Sequence, residues 1–164
     1  MKRQGFTIIE LVVIIAVMGI LLVLGVVNLS GSQASSRDAE RKTDIETIAT
    51  HLETYYTSGN DDSVNVGRYP STGLPTQETL VLRDIDPQSY MAPGMTTTSL
   101  IAATNNIQTT AGVLPQPTIN QYVYQPLQQD GTLCTTGAQQ CQKFNLFYRL
   151  ETDNTVYMLT SRNQ

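Results

Sequence analysis

The side chain with the clearest chemical consequence in this sequence is a single carboxylate, that of Glu10. It lies near the start of a largely apolar stretch that runs from Ile8 to Leu29. An ionised carboxylate in hydrocarbon costs several kcal/mol, and still about 2.5–3.5 kcal/mol at the centre of a span on insertion scales. A segment that served only as a membrane anchor would not carry this charge. Glu10 therefore predicts a function for the segment beyond anchoring.

Other residues that could do chemistry are sparse. The sequence holds one histidine, His51, and two cysteines, and it contains no nucleophile motif, phosphate-binding loop or cluster of metal ligands. The net charge is −4 and the pI is about 4.8, which disfavours a strongly basic surface for binding nucleic acid. These features predict that the protein is not an enzyme.

The apolar stretch is long enough to cross a bilayer. At a rise of 1.5 Å per residue it spans roughly 33 Å, against a hydrocarbon core of about 30 Å. Lys2 and Arg3 precede it, and the next positive charge is Arg37. The positive-inside tendency therefore predicts a cytoplasmic N-terminus and a C-terminal part outside. A secretory signal peptide begins similarly, but its apolar core is only about 7–15 residues long and its cleavage site follows that core.

The order of residues at the N-terminus resembles that of the type IV pilin and pseudopilin family. A short basic leader ends in Gly5, and Phe6, Thr7, Glu10 and the apolar stretch to Leu29 follow it. The resemblance implies that a prepilin peptidase cuts after Gly5 and that Phe6 becomes the N-methylated first residue of the mature protein. It also implies that the N-terminal helix, with Thr7 and Glu10 in its first turn, drives assembly into a filament.

Two interpretations of Glu10 are open. Cleavage after Gly5 would create a positive amine on Phe6, and methylation would keep that charge. In a bundle of helices Glu10 could then meet the Phe6 ammonium of a neighbouring subunit, which replaces two isolated charges in apolar surroundings by one pair. Alternatively, Glu10 lies at the headgroup boundary and reaches water, as ionisable groups near helix ends do. The two interpretations can describe successive states, before and after assembly.

Two glycines, Gly19 and Gly25, lie within the apolar stretch. Many pilins of Gram-negative bacteria carry a proline at the position of Val27, and this chain does not. Because glycine lowers helix stability by about 1 kcal/mol, the two glycines are candidate points of local unwinding in a filament. Alternatively, they allow close packing of helices through small residues.

A second helical segment is predicted beyond the apolar stretch, over Arg37–Tyr56. Its apolar residues recur at spacings of three and four and share one face that needs a partner; they are Ile45, Ile48, Ala49, Leu52, Tyr55 and Tyr56. Charges such as Asp38 and Lys42 are predicted to lie on a solvated opposite face. The polar linker Ser30–Ser36 either continues the helix or forms a hinge. This segment and the sequence Gly67–Pro70 also resemble the pilin pattern.

The C-terminal part is aromatic and β-branched and predicts three antiparallel strands. They are Tyr122–Leu127, Lys143–Glu151 and Thr155–Ser161. The second strand alternates in polarity, so its apolar side should lie on the apolar helix face; that side consists of Phe144, Leu146, Tyr148 and Leu150. Between helix and strands, a polar, proline-rich region predicts an irregular surface with short helices near Thr76–Asp84 and Thr98–Asn105.

These elements predict an α+β, pilin-like fold. A long N-terminal helix, half of it transmembrane, packs on an antiparallel sheet of about three to four strands. The expected division of the chain is a leader (1–5), an apolar helix half (6–29), an amphipathic helix half (30–58), an αβ-loop region (59–121) and a sheet with a disulfide loop (122–164).

Cys134 and Cys141 bracket a short loop between the first two predicted strands. An even cysteine count and an extracytoplasmic position favour a disulfide between them. A metal site is disfavoured, since two cysteines and the lone His51 do not supply four ligands. The loop acids that could hold calcium lack the spacing of an EF-hand, so no cofactor is predicted; these acids are Asp61, Asp62 and Asp130.

The sequence therefore predicts a structural subunit of a type IV pilus-like filament, in the cytoplasmic membrane before assembly and at the cell surface after it. The implied partners are further copies of the chain, membrane lipid, the prepilin peptidase, a platform membrane protein and an assembly ATPase. Adhesion to a host surface, twitching motility or DNA uptake are the expected uses. Local basic residues are compatible with weak DNA contact; they are Arg68, Arg83, Lys143, Arg149 and Arg162. The alternatives are a pseudopilin of a type II secretion or competence system and a membrane-anchored binding protein that does not polymerise.

Overall fold

The structure, a computed structural model, describes residues 5–59, 65–76, 81–82 and 84–163, with the backbone alone over residues 26–30. One long helix comes first, then two short 3₁₀ helices, then four strands. The helices are α1 (Ile8–Ser58) and the 3₁₀ helices Leu74–Thr76 and Pro87–Tyr90. The strands are β1 (Leu100–Ala102), β2 (Tyr122–Leu127), β3 (Lys143–Arg149) and β4 (Val156–Thr160). This architecture confirms the predicted α+β fold class.

Helix α1 runs without a break from the apolar half into the amphipathic half. Residues 30–36, where the sequence leaves a hinge open, are helical. The helix ends at Gly59, whose N–H donates to the carbonyl of Tyr55 at 2.8 Å. Gly59 has a φ of 70°, which glycine adopts without the steric cost that a Cβ would bring. The 51 residues of α1 form a rod of about 75 Å.

The four strands form one sheet in the order β1-β2-β3-β4. The β2–β3 and β3–β4 pairings are antiparallel, and β1–β2 is parallel. The three predicted strands are confirmed, and the parallel pairing of β1 makes the sheet mixed. The short helix predicted near Thr98–Asn105 is wrong, because residues 100–102 pair with β2 instead. The one predicted near Thr76–Asp84 falls partly on residues 77–80 and 83, which lie outside the described residues.

The main core lies between α1 and the facing side of the sheet, as predicted. The apolar face of α1 packs there against β2 and β3; its most buried members are Ile45, Ile48, Leu52, Tyr122, Tyr124, Phe144 and Leu146. Tyr69 adds an edge-to-face ring contact with Phe144, at 4.8 Å between ring centroids. Neither the helix face nor the sheet face could bury its apolar side chains alone, so each element requires the other.

The opposite side of the sheet carries a smaller core that the sequence analysis did not predict. It consists of Ala103, Val113, Val123 and Phe147. Two buried amides join this face to the loop: Asn145 donates to Gln125 at 2.9 Å, and Gln125 donates to the carbonyls of Asn105 and Ile107 at 2.9 and 3.1 Å. Part of the region expected to be an irregular surface therefore covers the sheet.

Candidate functional site

The first turn of α1 joins two predicted site residues, Thr7 and Glu10, in one hydrogen-bonded unit. Thr7 is the N-cap, and its Oγ1 accepts a bond from the N–H of Glu10 at 3.3 Å. In return, Oε2 of Glu10 accepts bonds from the N–H and the Oγ1 of Thr7 at 2.9 and 2.8 Å. This reciprocal arrangement is a capping box, which satisfies donors that a helix N-terminus otherwise leaves unpaired.

This capping box was not predicted from the sequence, although its signal is present there. A threonine followed three residues later by a glutamate, at the start of an apolar run, is typical of a capped helix N-terminus. In the structure Oε2 of Glu10 takes both Thr7 donors, while Oε1 accepts no hydrogen bond from any described residue. One carboxylate oxygen thus holds the helix end, and the other remains open to an incoming positive group.

Gly5 and Phe6 lie directly before α1, in backbone that is not helical. The side chain of Phe6 is exposed. Exposed, non-helical segments are the preferred substrates of proteolysis. The bond after Gly5 is therefore accessible in the subunit, and cleavage and methylation at this point stay predictions.

The apolar half of α1 makes no packing contact that buries it in the subunit. By length and composition, Ile8–Gly25 could cross a membrane, and none of this window is buried. A Cβ placed on Gly19 or Gly25 would meet no atom within 4 Å. Nothing within the described subunit requires glycine at these positions, and the helix continues through both. Unwinding and close packing therefore both concern contacts outside the single subunit.

Where α1 reaches the head, four charged residues tie the β3–β4 turn to the helix. We call this group the clamp; it consists of Arg37, Asp38, Arg41 and Glu151. Arg37 donates two bonds to Glu151 at 2.8 and 2.6 Å, and Arg41 donates to Asp38 at 2.7 Å. Asp38 also accepts the N–H groups of Glu151 and Thr152 at 2.8 and 2.9 Å.

Burial distinguishes the clamp from an ordinary charged helix surface. Asp38 and Arg41 are only 4% and 1% exposed, so the predicted solvated position is wrong for Asp38, while Lys42 is exposed as predicted. Burial pushes the pKa of Asp38 upward, but the bonds from Glu151, Thr152 and Arg41 outweigh it and hold the pKa below its usual value. The hydrogen bond from Arg37 lowers the pKa of Glu151. Both carboxylates are therefore charged at neutral pH.

A second polar contact between helix and sheet pairs Asp44 with Tyr122. The hydroxyl of Tyr122 donates to the Asp44 carboxylate at 2.8 Å, and both residues are buried. Burial is the main cause that raises the pKa of Asp44 to about 6, and the negative charges of Glu40 and Asp86 add to it. The bond from Tyr122 and the charge of Arg41 oppose this shift. Sequence reasoning gave no signal for this contact, because its partners are 78 residues apart.

The predicted disulfide between Cys134 and Cys141 is confirmed. Both cysteines are buried on the connection between β2 and β3. No group of three or more potential metal ligands is placed together among the residues that the structure describes. Asp130 accepts bonds from Thr132, and Asp61 and Asp62 lie outside the described residues. His51 is half-buried on α1, with its ring Nδ1 3.0 Å from the carbonyl of Thr47.

The N-terminal segment of the chain is similar to a known protein family. Residues 1–26 match the family model of the prokaryotic N-terminal methylation motif. This match covers the leader, the capping box and most of the exposed apolar half of α1. No solved structure gives a significant match to the chain.

Two curated proteins extend the similarity beyond the motif. The type II secretion system core protein G of Pectobacterium carotovorum subsp. carotovorum is 32% identical over 95 residues, which cover 57% of this chain and 56% of that protein. The type IV major pilin protein PilA of Myxococcus xanthus (strain DK1622) is 29% identical over 75 residues, 44% of this chain and 34% of that protein. The match thus spans about half of one relative and a third of the other. Motif and relatives together confirm the predicted resemblance to pilins and pseudopilins.

Proposed function

We propose that this chain is a structural subunit of a type IV pilus-like filament. It is inserted in the cytoplasmic membrane with its N-terminus inside, cut after Gly5 by a prepilin peptidase and methylated on Phe6. It then polymerises through α1 into a cell-surface fibre that serves adhesion, twitching motility or DNA uptake. A platform membrane protein and an assembly ATPase are the further partners. The role is structural, since copies of the chain bind one another and no reaction is catalysed.

The observation that carries this proposal is that the first half of α1 is apolar and exposed, yet has a carboxylate in its first turn. An apolar rod that the subunit itself leaves uncovered needs either lipid or other helices around it. Lipid alone accounts for the apolar side chains, but it does not account for a carboxylate in the first turn. A bundle of like helices accounts for both, because each copy brings an acid and, after cleavage, an amine.

The capping box sharpens the mechanism of assembly. Before assembly, Glu10 is held by Thr7 of its own chain through Oε2. In the filament, the Phe6 ammonium of a neighbour can approach Oε1 without displacing the Thr7 bonds. Leaving either charge alone in an apolar bundle costs several kcal/mol, so pairing favours the one register in which acid and amine meet. The cap would thus orient the carboxylate before its partner arrives.

A pseudopilin of a type II secretion or competence system is the second candidate. The similarity to a type II secretion core protein favours it. Against it stands the Thr- and Ser-rich composition of residues 59–121, which suits a fibre exposed to the medium. Imaging of fibres sheared from the native host separates the two: long fibres made mainly of this chain support a pilin, and their absence supports a pseudopilin.

The first test is the N-terminus of the protein recovered from its native host. Intact-mass and peptide mass spectrometry should find a chain that begins at N-methylated Phe6. A chain that begins at Met1, in a host with an active prepilin peptidase, would instead support an anchored binding protein that does not polymerise.

A charge variant then tests the assembly mechanism. Glu10→Gln keeps an oxygen that can accept the Thr7 bonds but removes the charge, so the cap should persist while fibre yield falls at least about tenfold, the ratio produced by about 1.4 kcal/mol. Glu10→Ala removes the charge together with the bonds that Thr7 donates to the carboxylate, and it should assemble no better. Normal fibre yield from Glu10→Gln would show that the charge pair is not what drives assembly.

A further inference from the structure

The two edges of the sheet differ in how their backbone groups are used. Directly before β1, Ser99 donates its N–H to the carbonyl of Tyr90 at 2.7 Å, and its hydroxyl accepts the N–H of Ala92 at 2.8 Å. Beside β4, the last strand in the sheet order, no described segment pairs with the outer edge. The segment that enters β1 is therefore tied to a neighbouring segment, whereas the outer edge of β4 is open.

The ladder between β3 and β4 identifies the open groups. Ser161 donates to the carbonyl of Phe144 at 2.9 Å, and Leu150 donates to the carbonyl of Thr155 at 3.1 Å. In an antiparallel strand, every second residue directs its backbone N–H and C=O groups toward the partner strand. Thr155 and Ser161 direct theirs toward β3, so the residues at even numbers between them direct theirs outward. They are Val156, Met158 and Thr160, and their backbone groups bond to no described residue outside the ladder.

Both ends of this open edge are bounded by bonds within the chain. At one end the N–H of Arg162 donates to the carboxylate of Glu53 at 2.8 Å. At the other end the carbonyl of Asn154 accepts a bond from Arg149 at 2.7 Å. The edge from 156 to 160 therefore stands between two positions whose backbone groups are occupied.

The edge also lacks the features by which proteins block unwanted strand pairing. Residues 156–160 contain no proline, glycine or charged side chain, and the side chains of Tyr157 and Met158 are exposed. Edge strands without such features are templates for pairing with another chain. A cavity of about 390 Å³ between β4 and α1, lined by residues such as Ala49 and Leu159, leaves space beside the strand.

We propose that the outer edge of β4 is a self-association surface that pairs antiparallel with β4 of a second copy. Centred on Met158, this pairing places Met158 opposite its own copy and Val156 opposite Thr160 of the second copy. Every outward backbone group of the three residues then finds a partner. Two like strands can pair here because residues 156–160 carry no charge that would repel its own copy.

The charges that flank the strand select the antiparallel direction. Asp153 precedes β4 and Arg162 follows it. Antiparallel pairing brings the Arg162 of each copy near the Asp153 of the other, whereas parallel pairing would align like charges. Charge complementarity thus identifies a second copy of this chain as the occupant.

The symmetry of the contact decides whether it joins subunits within one fibre or subunits of two fibres. This step rests on the proposed filament. A pairing of one strand with its own copy is isologous and closes after two chains, so it cannot propagate a fibre by itself. We therefore assign it to contacts between fibres. Three residues a side fall far short of a stable interface of about 1,200 Å², so single subunits should pair weakly. A row of such edges along two fibres multiplies the contact.

A cysteine on the symmetry axis tests the pairing without requiring a filament. In the proposed pair, the Cα atoms of residue 158 lie about 5.5 Å apart, within the range of about 4.4–6.8 Å that a disulfide needs. The full-length Met158→Cys variant, concentrated in detergent and oxidised mildly, should form a disulfide-linked dimer. The matched control is Gln129→Cys, an exposed position away from β4. Adding Arg162→Glu to Met158→Cys should lower the dimer yield about tenfold.

Fibre association is the second measurement. Met158→Pro removes an N–H that bonds to no residue described in the structure, and Met158→Lys sets two like charges against each other across the axis. Both variants should form single fibres, while wild type and Met158→Leu associate side by side. If a host makes no fibres, the proposed function fails, and the cross-linking result still decides the β4 contact. Equal cross-linking at positions 158 and 129, or side-by-side fibres of Met158→Lys and Met158→Pro, would overturn this proposal.

Discussion

The two halves of α1 are one continuous helix with two different kinds of support. From Ile8 to Gly25 no residue is buried in the subunit, and the first turn is held by the capping box. From the clamp onward, the helix packs on the sheet through apolar contacts, buried charges and a carboxylate–tyrosine bond. Since secondary structure is unbroken across both halves, the environment and not the backbone distinguishes them. The first half is uncovered in the subunit, whereas the second half is packed against the sheet.

The clamp lies where α1 begins to pack on the sheet. Breaking it should lower the stability of the head more than any other substitution considered. Asp38→Ala takes from the buried guanidinium of Arg41 the carboxylate bound at 2.7 Å, which leaves Glu151 at 3.6 Å as its remaining acid, and it removes the acceptor of two backbone N–H groups. Breaking a buried pair in this way costs about 3–5 kcal/mol. Urea unfolding of the full-length chain in detergent, followed by circular dichroism of the head, measures the loss.

Lys42 provides the control for this prediction. It lies on the exposed side of the same helix turn, so Lys42→Ala should change the unfolding free energy by less than about 0.5 kcal/mol. A similar small change for Asp38→Ala would mean that the clamp does not hold the helix to the head.

A pair of identical substitutions compares the two halves directly. Leu52 is fully buried, whereas Leu21 is 62% exposed. Leu52→Ala should destabilise the head by about 2–5 kcal/mol, through lost burial and the cavity left behind. Leu21→Ala should leave the head unchanged and, under the proposed function, lower fibre yield. Opposite results, with the head sensitive to Leu21, would place part of the apolar half within the fold of the subunit.

The spacing of residues within short stretches of the sequence predicted much of the fold. The spacing of Ile45, Ile48 and Leu52 identified the helix face that is buried, and alternation identified the side of β3 that packs on it. The motif around Gly5 and Glu10 pointed to the family. Each of these signals is contained in a short window of sequence, where helix or strand period is directly visible.

Long-range polar contacts could not be predicted in the same way. Asp38 is bound by residues 113 and 114 positions later, and charges on a helix are usually solvated. Likewise, β1 has only three residues, and its parallel pairing with β2 carries no signal in its own composition. The capping box is the exception, since its residues are three apart and its pattern could have been recognised.

The Asp44–Tyr122 contact, in the half of α1 that packs on the sheet, predicts that the free energy of unfolding depends on pH. The folded protein holds the pKa of Asp44 at about 6, while an unfolded aspartate has a pKa near 3.9. The folded state therefore binds this proton more tightly. The resulting stabilisation is complete below about pH 4 and is lost as the pH rises through the folded pKa.

Asp44→Asn removes this titration and should keep a partner for the Tyr122 hydroxyl. Between pH 4 and pH 7 the wild type should lose on the order of 1–3 kcal/mol relative to the variant. Paired unfolding curves at a series of pH values measure the difference. Glu46→Gln, at an exposed position of the same helix, is the control and should run parallel to wild type. Parallel curves for Asp44→Asn as well would contradict the pH dependence.

The smallest expected effect on stability is at the N-terminal end of α1, in the half that the subunit leaves exposed. Thr7→Ala removes the N-cap and both bonds that Thr7 Oγ1 makes with Glu10, yet it leaves the carboxylate charge in place. Loss of such a cap costs about 1 kcal/mol. The cost should appear only as fraying of the first turn of α1, visible by hydrogen exchange of Glu10 and Leu11, whose N–H groups bond to Thr7, with head stability unchanged.

This variant also separates orientation from charge in assembly. If pairing with a neighbour's amine is the main driving force, Thr7→Ala fibres should form in yields reduced by no more than about fivefold, the ratio that about 1 kcal/mol produces, well above those of Glu10→Gln. A yield as low as that of Glu10→Gln would mean that the cap must position the carboxylate before any amine can find it. The end of the helix would then be as decisive for assembly as the charge that it carries.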